Sequence, residues 1–254
     1  MMKTKFAEKL YISTIDSRAA ELAQEYGLGI ELSQFCYAPH MDELFSSQEA
    51  DVENCLDSAE RFVLHAPFAE LHPSAIDPLV LGIAKKRFRQ AAELARKYGV
   101  KRMVVHSGYV PNVYFKEWFT ERSVAFWKEF LEELPNDFEL LLENVMDDEP
   151  QTLKRVAEAV QAPRFGLCLD VGHVNAISDI PPCDWIAEYG TMLKHVHLHN
   201  NHGVNDEHGA LFEGDLDILS VLEAAQAASP EATFTLELMD AEPSLRWLAE
   251  KGLI

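Results

Sequence analysis

The sequence lacks the features that would draw a chain toward a disulfide scaffold, a membrane or a nucleic acid. Its four cysteines (Cys36, Cys55, Cys168, Cys183) are scattered, with no C-x-x-C pair. That excludes a finger-type structural zinc cluster and a disulfide framework, leaving free thiols as the expectation. No apolar run approaches the ~20 residues that a bilayer requires. The stretch Met1–Leu10 has no apolar core of a signal peptide, so a cytoplasmic protein without membrane partners is expected. Basic residues are scarce, 22 against 42 acidic ones for a net charge of -20, which argues against a nucleic-acid partner. A glycine-rich phosphate loop after the first apolar segment is also missing.

What the chain does have is a regular alternation of β-patterned and helical runs. Strands are expected at Leu10–Thr14, Leu28–Leu32, Arg61–His65, Lys101–His106, Phe138–Glu143, Phe165–Asp170, His195–His199 and Thr233–Glu237. Helices are expected near Ser17–Tyr26, Gln48–Glu60, Pro78–Tyr98, Tyr114–Leu134, Glu149–Val160, Asp184–Tyr189, Asp215–Ala228 and Ser244–Lys251. Asp77 reads as the N-cap of the third helix with Pro78 at its first position, and Gly27 and Gly99 as helix stops. Eight such pairs in 254 residues predict an α/β fold, a single (β/α)8 TIM barrel over residues 1–254. The rival is a doubly wound open sheet, which would normally carry the missing glycine loop. The aromatic run Tyr114, Phe115, Trp118, Phe119, Phe126, Trp127 and Phe130 has near-helical spacing and reads as core. Lys85, Lys86, Arg87 and Arg89 read as a solvated helix face.

The strand ends carry the chemistry. Asp170 closes the sixth strand, with Gly172 read as a turn that presents His173. The third ends in His65, the fourth in His106 and the fifth in Glu143. The seventh carries His197, its loop supplies Asp206 and His208, and the eighth ends in Glu237. In a barrel these ends meet at one mouth. A single histidine at a strand end is more often hydrogen-bonded structure than a ligand. Here all ten histidines lie outside the expected helices, and the nine side chains come from six successive strand ends. Four carboxylates and five imidazoles crowded together would repel and desolvate badly unless cations held them. Nine ligands exceed one four- to six-coordinate ion, so two or three sites follow from number alone. His199, Tyr109 and Glu31 are expected at the substrate; His195 and His199 share a face with His197 and also read as donors that fix its tautomer. His40, His72 and His202 are loop residues outside this set.

These residues resemble the xylose isomerase-like TIM-barrel superfamily, which includes sugar isomerases and epimerases, inosose dehydratases and the endonuclease IV class of apurinic/apyrimidinic nucleases. The sugar-active branch is similar through Glu143 in Leu-Glu-Asn, Asp170, His197 in His-Val-His-Leu-His-Asn-Asn, and Glu237 in Leu-Glu-Leu. There the resemblance implies one divalent ion, with Glu143 and Glu237 as acid and base. The nuclease branch implies three zinc ions on His65, His106, Glu143, Asp170, His173, His197, Asp206, His208 and Glu237, all present here. Val171, and His199-Asn-Asn in place of Asn-Asp-Ser, depart from that branch. So do the loops Pro67–Asp77, Ser107–Val113, Asn144–Pro150 and Asn200–Gly214, which contain no Lys or Arg with which to grip DNA. The expectation is a divalent-metal-dependent sugar or sugar-phosphate isomerase or epimerase. Its cofactor would be Zn2+, with Mn2+ or Mg2+ as alternatives, at one to three ions per chain, and its substrate a small polyhydroxylated molecule. The alternatives are a zinc-dependent phosphodiester hydrolase, a polyol dehydratase on the same site, and a binding barrel without catalysis. No stretch of the sequence marks an oligomeric interface.

Overall fold

A computed structural model describes residues 6–254, so the first five residues of the stretch read for a signal peptide lie outside the described residues. Eight parallel strands close into a barrel in chain order. They are β1 (Leu10–Ser13), β2 (Gly29–Leu32), β3 (Phe62–His65), β4 (Arg102–His106), β5 (Glu139–Glu143), β6 (Phe165–Asp170), β7 (Leu193–Leu198) and β8 (Thr233–Leu236). Around them pack α1 (Ala19–Tyr26), α2 (Phe45–Ser58), α3 (Pro78–Lys97), α4 (Lys116–Glu133), α5 (Pro150–Val160), α6 (Val171–Ile177), α7 (Pro182–Tyr189), α8 (Ile218–Ala228) and α9 (Glu242–Glu250). The (β/α)8 architecture is therefore as expected. Among the described residues no helix is long and apolar enough to cross a membrane, and all four cysteines are free.

Local chemistry explains most boundaries. Asp77 caps α3 by accepting the Leu79 N–H at 2.7 Å. Gly27 ends α1 in the left-handed region at φ 69°, its N–H bonded to the Ala23 carbonyl. Two differences from the sequence reading stand out. The loop after β2 is partly coiled into short 3-10 turns, Gln34–Cys36 and Ala38–Met41. The turn expected at Gly172 is instead the first part of α6, so His173 is helical, contrary to the expectation that all histidines lie outside helices. Asp170 drives this by capping α6 with its own side chain, Oδ1 accepting the His173 N–H at 2.7 Å.

Two apolar layers are separated by strand alternation. Leu140, Leu142, Met103, Val105, Leu167 and Leu169 face the helices and join the large outer core. Tyr11, Val63, Val104, Leu141 and Cys168 point inward and form a compact plug inside the barrel. The aromatic run sits between α4 and its neighbours. Trp127 is fully buried against Phe126 (ring centroids 4.8 Å), Phe88 (5.4 Å) and Phe165 (6.1 Å). Phe115, expected in that core, is 83% exposed because it precedes the first turn of α4. The basic run on α3 is an ion-paired face, with Arg87 on Asp42 (2.7 Å) and Arg89 on Glu133.

Truncating Trp127→Ala should cost about 3–5 kcal/mol, because the α3–α4–β6 seam cannot collapse around so large a void. Urea midpoints measure this; a loss under about 1 kcal/mol would mean that the seam contributes little.

Candidate metal centre

Strand alternation delivers the ligands. Two residues beyond the inward-facing Val63, Val104, Leu141 and Cys168 come His65, His106, Glu143 and Asp170, so each must point to the same axis one layer higher. Parallel register sets them side by side: His106 pairs with Glu143, and Asp170 with His197. The alternation that fills the barrel also builds its mouth.

Glu143 is the hub. Its Oε2 lies 3.2 Å from His65 Nε2 and 3.5 Å from His106 Nε2, and its Oε1 lies 3.3 Å from His197 Nδ1 and 3.6 Å from His173 Nδ1. His197 Nδ1 is also 3.0 Å from Glu237 Oε2 and 3.8 Å from Asp170 Oδ2. On the far side Asp206 Oδ2 meets His208 Nε2 at 3.0 Å and His173 Nε2 at 3.3 Å. All nine sequence-predicted ligands thus form one connected cluster. Within it, the ligand atoms of Glu143, Asp170, His197 and Glu237 lie within 4.8 Å of one another, as do those of His65, Glu143 and His197.

Backbone carbonyls fix which nitrogen each imidazole offers. Nδ1–H of His65 donates to the Ala66 carbonyl (2.9 Å), that of His173 to Asn144 O (2.9 Å) and that of His208 to Glu237 O (2.7 Å). Each Nε2 is then left facing a carboxylate, the presentation that a metal ligand needs. Asn144 clamps the Asp170 backbone in both directions, giving Nδ2–H to its carbonyl (3.0 Å) and accepting its N–H (2.9 Å). His199 Nε2–H donates to both Asp170 oxygens, at 3.0 and 3.1 Å. Gly172 leaves room for it, since a Cβ there would collide with the His199 ring.

The electrostatics suit a cation. Burial alone would raise the Glu143 carboxyl, but His197 and His106 outweigh it and hold it well below the usual range. Burial also opposes the charged forms of His173 and His208, yet Asp170 lifts the first to about 10 and the Asp206 hydrogen bond the second to about 9. Burial wins at His106 and His195, which fall to about 4. Both Glu143 oxygens and both His197 nitrogens are buried without an aligned hydrogen-bond partner among the described residues. Orphaned acceptors and imidazoles at contact distance, of mixed oxygen and nitrogen type, fit a divalent ion.

The mouth encloses a cavity of about 350 Å³ bordered by His65, His106, Glu143, His173, Asp206, His208 and Glu237. Tyr109, expected at the substrate, lines it; His199 and Glu31 do not. His199 is fully buried beneath His208, rings stacked at 4.1 Å. Glu31 lies under the cluster, with Oε1 3.1 Å from His197 Nε2 and Oε2 accepting the Thr235 hydroxyl at 2.6 Å. His195 is bonded to Thr233 and Thr235 in the same lower layer. Sequence reasoning missed two residues. Phe68 stacks on His106 at 4.3 Å, and Cys36 places Sγ 3.2 Å from His65 Nδ1. Phe68 follows His65 by three residues and could have been noticed there; Cys36 reaches the site through a 3-10 turn with no signature.

Comparison with known proteins agrees with this architecture. A family model described as xylose isomerase-like TIM barrel matches residues 17–251. The uncharacterized protein MJ1311 of Methanocaldococcus jannaschii is 26% identical over 188 residues, which cover 69% of this chain and 63% of that protein. The match therefore spans less than two thirds of that relative's length. Among solved structures, the TTHB071 protein of Thermus thermophilus, soaked with ZnCl2, gives a TM-score of 0.72 at 29% identity, covering 96% of this chain and 97% of that one. A D-tagatose 3-epimerase-like protein gives 0.75 at 20% identity, with 96% and 97% covered. The IOLI protein with a bound zinc atom gives 0.74 at 16% identity, with 96% and 94% covered. At their identities the last two are likenesses of fold.

Two outcomes follow from the geometry. Glu31→Gln should weaken zinc binding about 10- to 100-fold, because the carboxylate under His197 no longer orients it; competition against a chromophoric chelator measures this, and unchanged affinity would separate Glu31 from the centre. The metal-free protein should be most stable near pH 6.5. His106 and His195 have folded values below 6.5, so their contribution is lost as pH falls through about 4. His173 and His208 have folded values above it, so theirs is lost as pH rises through about 9–10. A urea midpoint that climbs steadily from pH 6.5 to 9 would contradict this assignment.

Proposed function

The chain belongs to the xylose isomerase-like TIM-barrel family, and we propose that it is a divalent-metal-dependent sugar or sugar-phosphate isomerase or epimerase. One observation carries the reading: Glu143 and Glu237, both bordering the cavity, converge on a single nitrogen of His197, at 3.3 and 3.0 Å. The relatives support it in kind, since one is an epimerase-like protein, one was soaked with ZnCl2 and one holds a zinc atom.

Glu143, Asp170, His197 and Glu237 would hold the ion, with His65 and His106 beside it. When bound, a divalent ion supplies Lewis-acid polarisation of neighbouring carbonyl and hydroxyl oxygens. The protein's own part is proton transfer. Glu237 is lowered below its usual value, because His197 outweighs the effect of burial, and so stands ionised at neutral pH. It takes the proton from the carbon beside the substrate carbonyl and delivers it to the carbonyl carbon, while Glu143, also ionised, carries the hydroxyl proton from one oxygen to the other. Tyr109 and Phe68 border the space in which the sugar chain would lie.

A phosphodiester hydrolase is the second reading, favoured by the Asp206 bridge between His173 and His208, which a one-ion site does not need. The loops without Lys or Arg oppose it.

Glu237→Gln should reduce turnover about 10²- to 10⁴-fold with the urea midpoint kept. The measurement is solvent deuterium uptake beside the carbonyl across a panel of ketoses and their phosphates, run beside cleavage of an abasic-site oligonucleotide. Retained exchange in the variant would remove Glu237 from catalysis. Oligonucleotide cleavage without ketose exchange, at two to three ions per chain, would move the protein to the hydrolase reading.

A further inference from the structure

The cavity is lined by two unlike sets of side chains. Loops after β6, β7 and β8 bring His173, Asp206, His208 and Glu237, whereas loops after β3, β4 and β5 add Phe68, Leu71, Tyr109, Val110, Val145 and Met146 above their own ligands. We propose that the substrate is uncharged and unphosphorylated, and that its non-reacting end is apolar: a deoxy or alkylated terminus lies along the Phe68–Met146 side while the polyol end meets the cluster. This rests on the sugar reading above and narrows it.

The case against a phosphate is electrostatic and local. None of the residues bordering the cavity is Lys or Arg. In α/β barrels a phosphate commonly sits in the loops after strands 7 and 8. Here the chain from His199 to Leu245 contains no Lys or Arg and carries Asp206, Glu207, Glu213, Asp215 and Asp240 instead. The N-termini of α6 and α8, which could serve as anion cradles on that side, are already taken by carboxylates: Asp170 caps α6 and Asp217 caps α8. Lys116, at the start of α4, is committed to Asp148 (2.7 Å) and Glu149 (3.3 Å). A phosphate would meet repulsion where such a group normally finds donors.

The case for an apolar end is one of unmatched surface. Phe68 and Met146 remain 42% and 49% exposed although they border a cavity. The nearest imidazole beyond the cluster, His72, already gives Nδ1–H to the Gly108 carbonyl at 3.1 Å. Glu70 and His72 are the polar side chains of this side; against Phe68 and Met146 themselves a terminal hydroxyl would lose its water without gaining a partner from either side chain, whereas a methyl group would lose nothing. Apolar pockets discriminate an added hydroxyl by up to about 100-fold.

Binding tests the substrate class separately from turnover. Zinc-loaded protein would be titrated with galactitol, its 6-phosphate and its 6-deoxy counterpart, none of which can react. The expected order is 6-deoxy tightest, about 10- to 100-fold over galactitol, and the phosphate at least about 10-fold weaker than galactitol. Phe68→Ala should erase the deoxy preference, and Met146→Lys should reduce the phosphate penalty. Equal or tighter binding of the phosphate, no deoxy preference, or no binding of any of the three would overturn the proposal. Failure of deuterium exchange in ketoses with this binding order intact would overturn the reaction instead, leaving the ligand class standing.

Discussion

The structure turns on one buried carboxylate. Glu143 has no solvent exposure, yet four imidazoles stand 3.2–3.6 Å from its oxygens and none is aligned to hydrogen-bond with it. Removing such a charge from water is costly unless paired charge repays it. The surrounding histidines repay part, and the ion of the proposed function would repay more. The interior plug beneath, built from Tyr11, Val63, Val104, Leu141 and Cys168, keeps these groups from relaxing into the barrel.

Rigidity comes from main chain as much as from packing. Three ligand imidazoles are tethered through Nδ1 to carbonyls, two of which belong to Asn144 and Glu237, residues at strand ends that themselves serve the centre. The Asp206–His208 loop is stitched back by the Asn200–Gly209 bridge and by Asn200 Nδ2–H to the Leu211 carbonyl. Orientation is therefore set by the chain itself, the preorganisation that a binding site needs.

The barrel was legible because period-two alternation and helix caps are local. The convergence of the nine candidate side chains was legible because a parallel barrel turns strand ends into neighbours, so position in the chain stood in for position in space. Glu31 was read at the right strand but the wrong height: it ends up one layer down because a four-residue strand cannot show from sequence which layer meets the cavity. His199 differs in a similar way, since its neighbour Gly172 admits the ring beneath α6 and away from the cavity. The helix α6 itself escaped notice because Val171–Ile177 is too short to display a period, and its start depends on a cap supplied by a residue assigned to another task.

That shared residue constrains substitution. Asp170 both begins α6 and faces the cluster of imidazoles and carboxylates, and as a cap asparagine serves about as well as aspartate. A change to asparagine would keep the cap but set an N–H donor where His199 now finds an acceptor, and would remove a negative charge from the cluster. Helix start, buried hydrogen bonds and the charge of the cluster therefore all fall on one side chain, and no other residue type meets the three demands together.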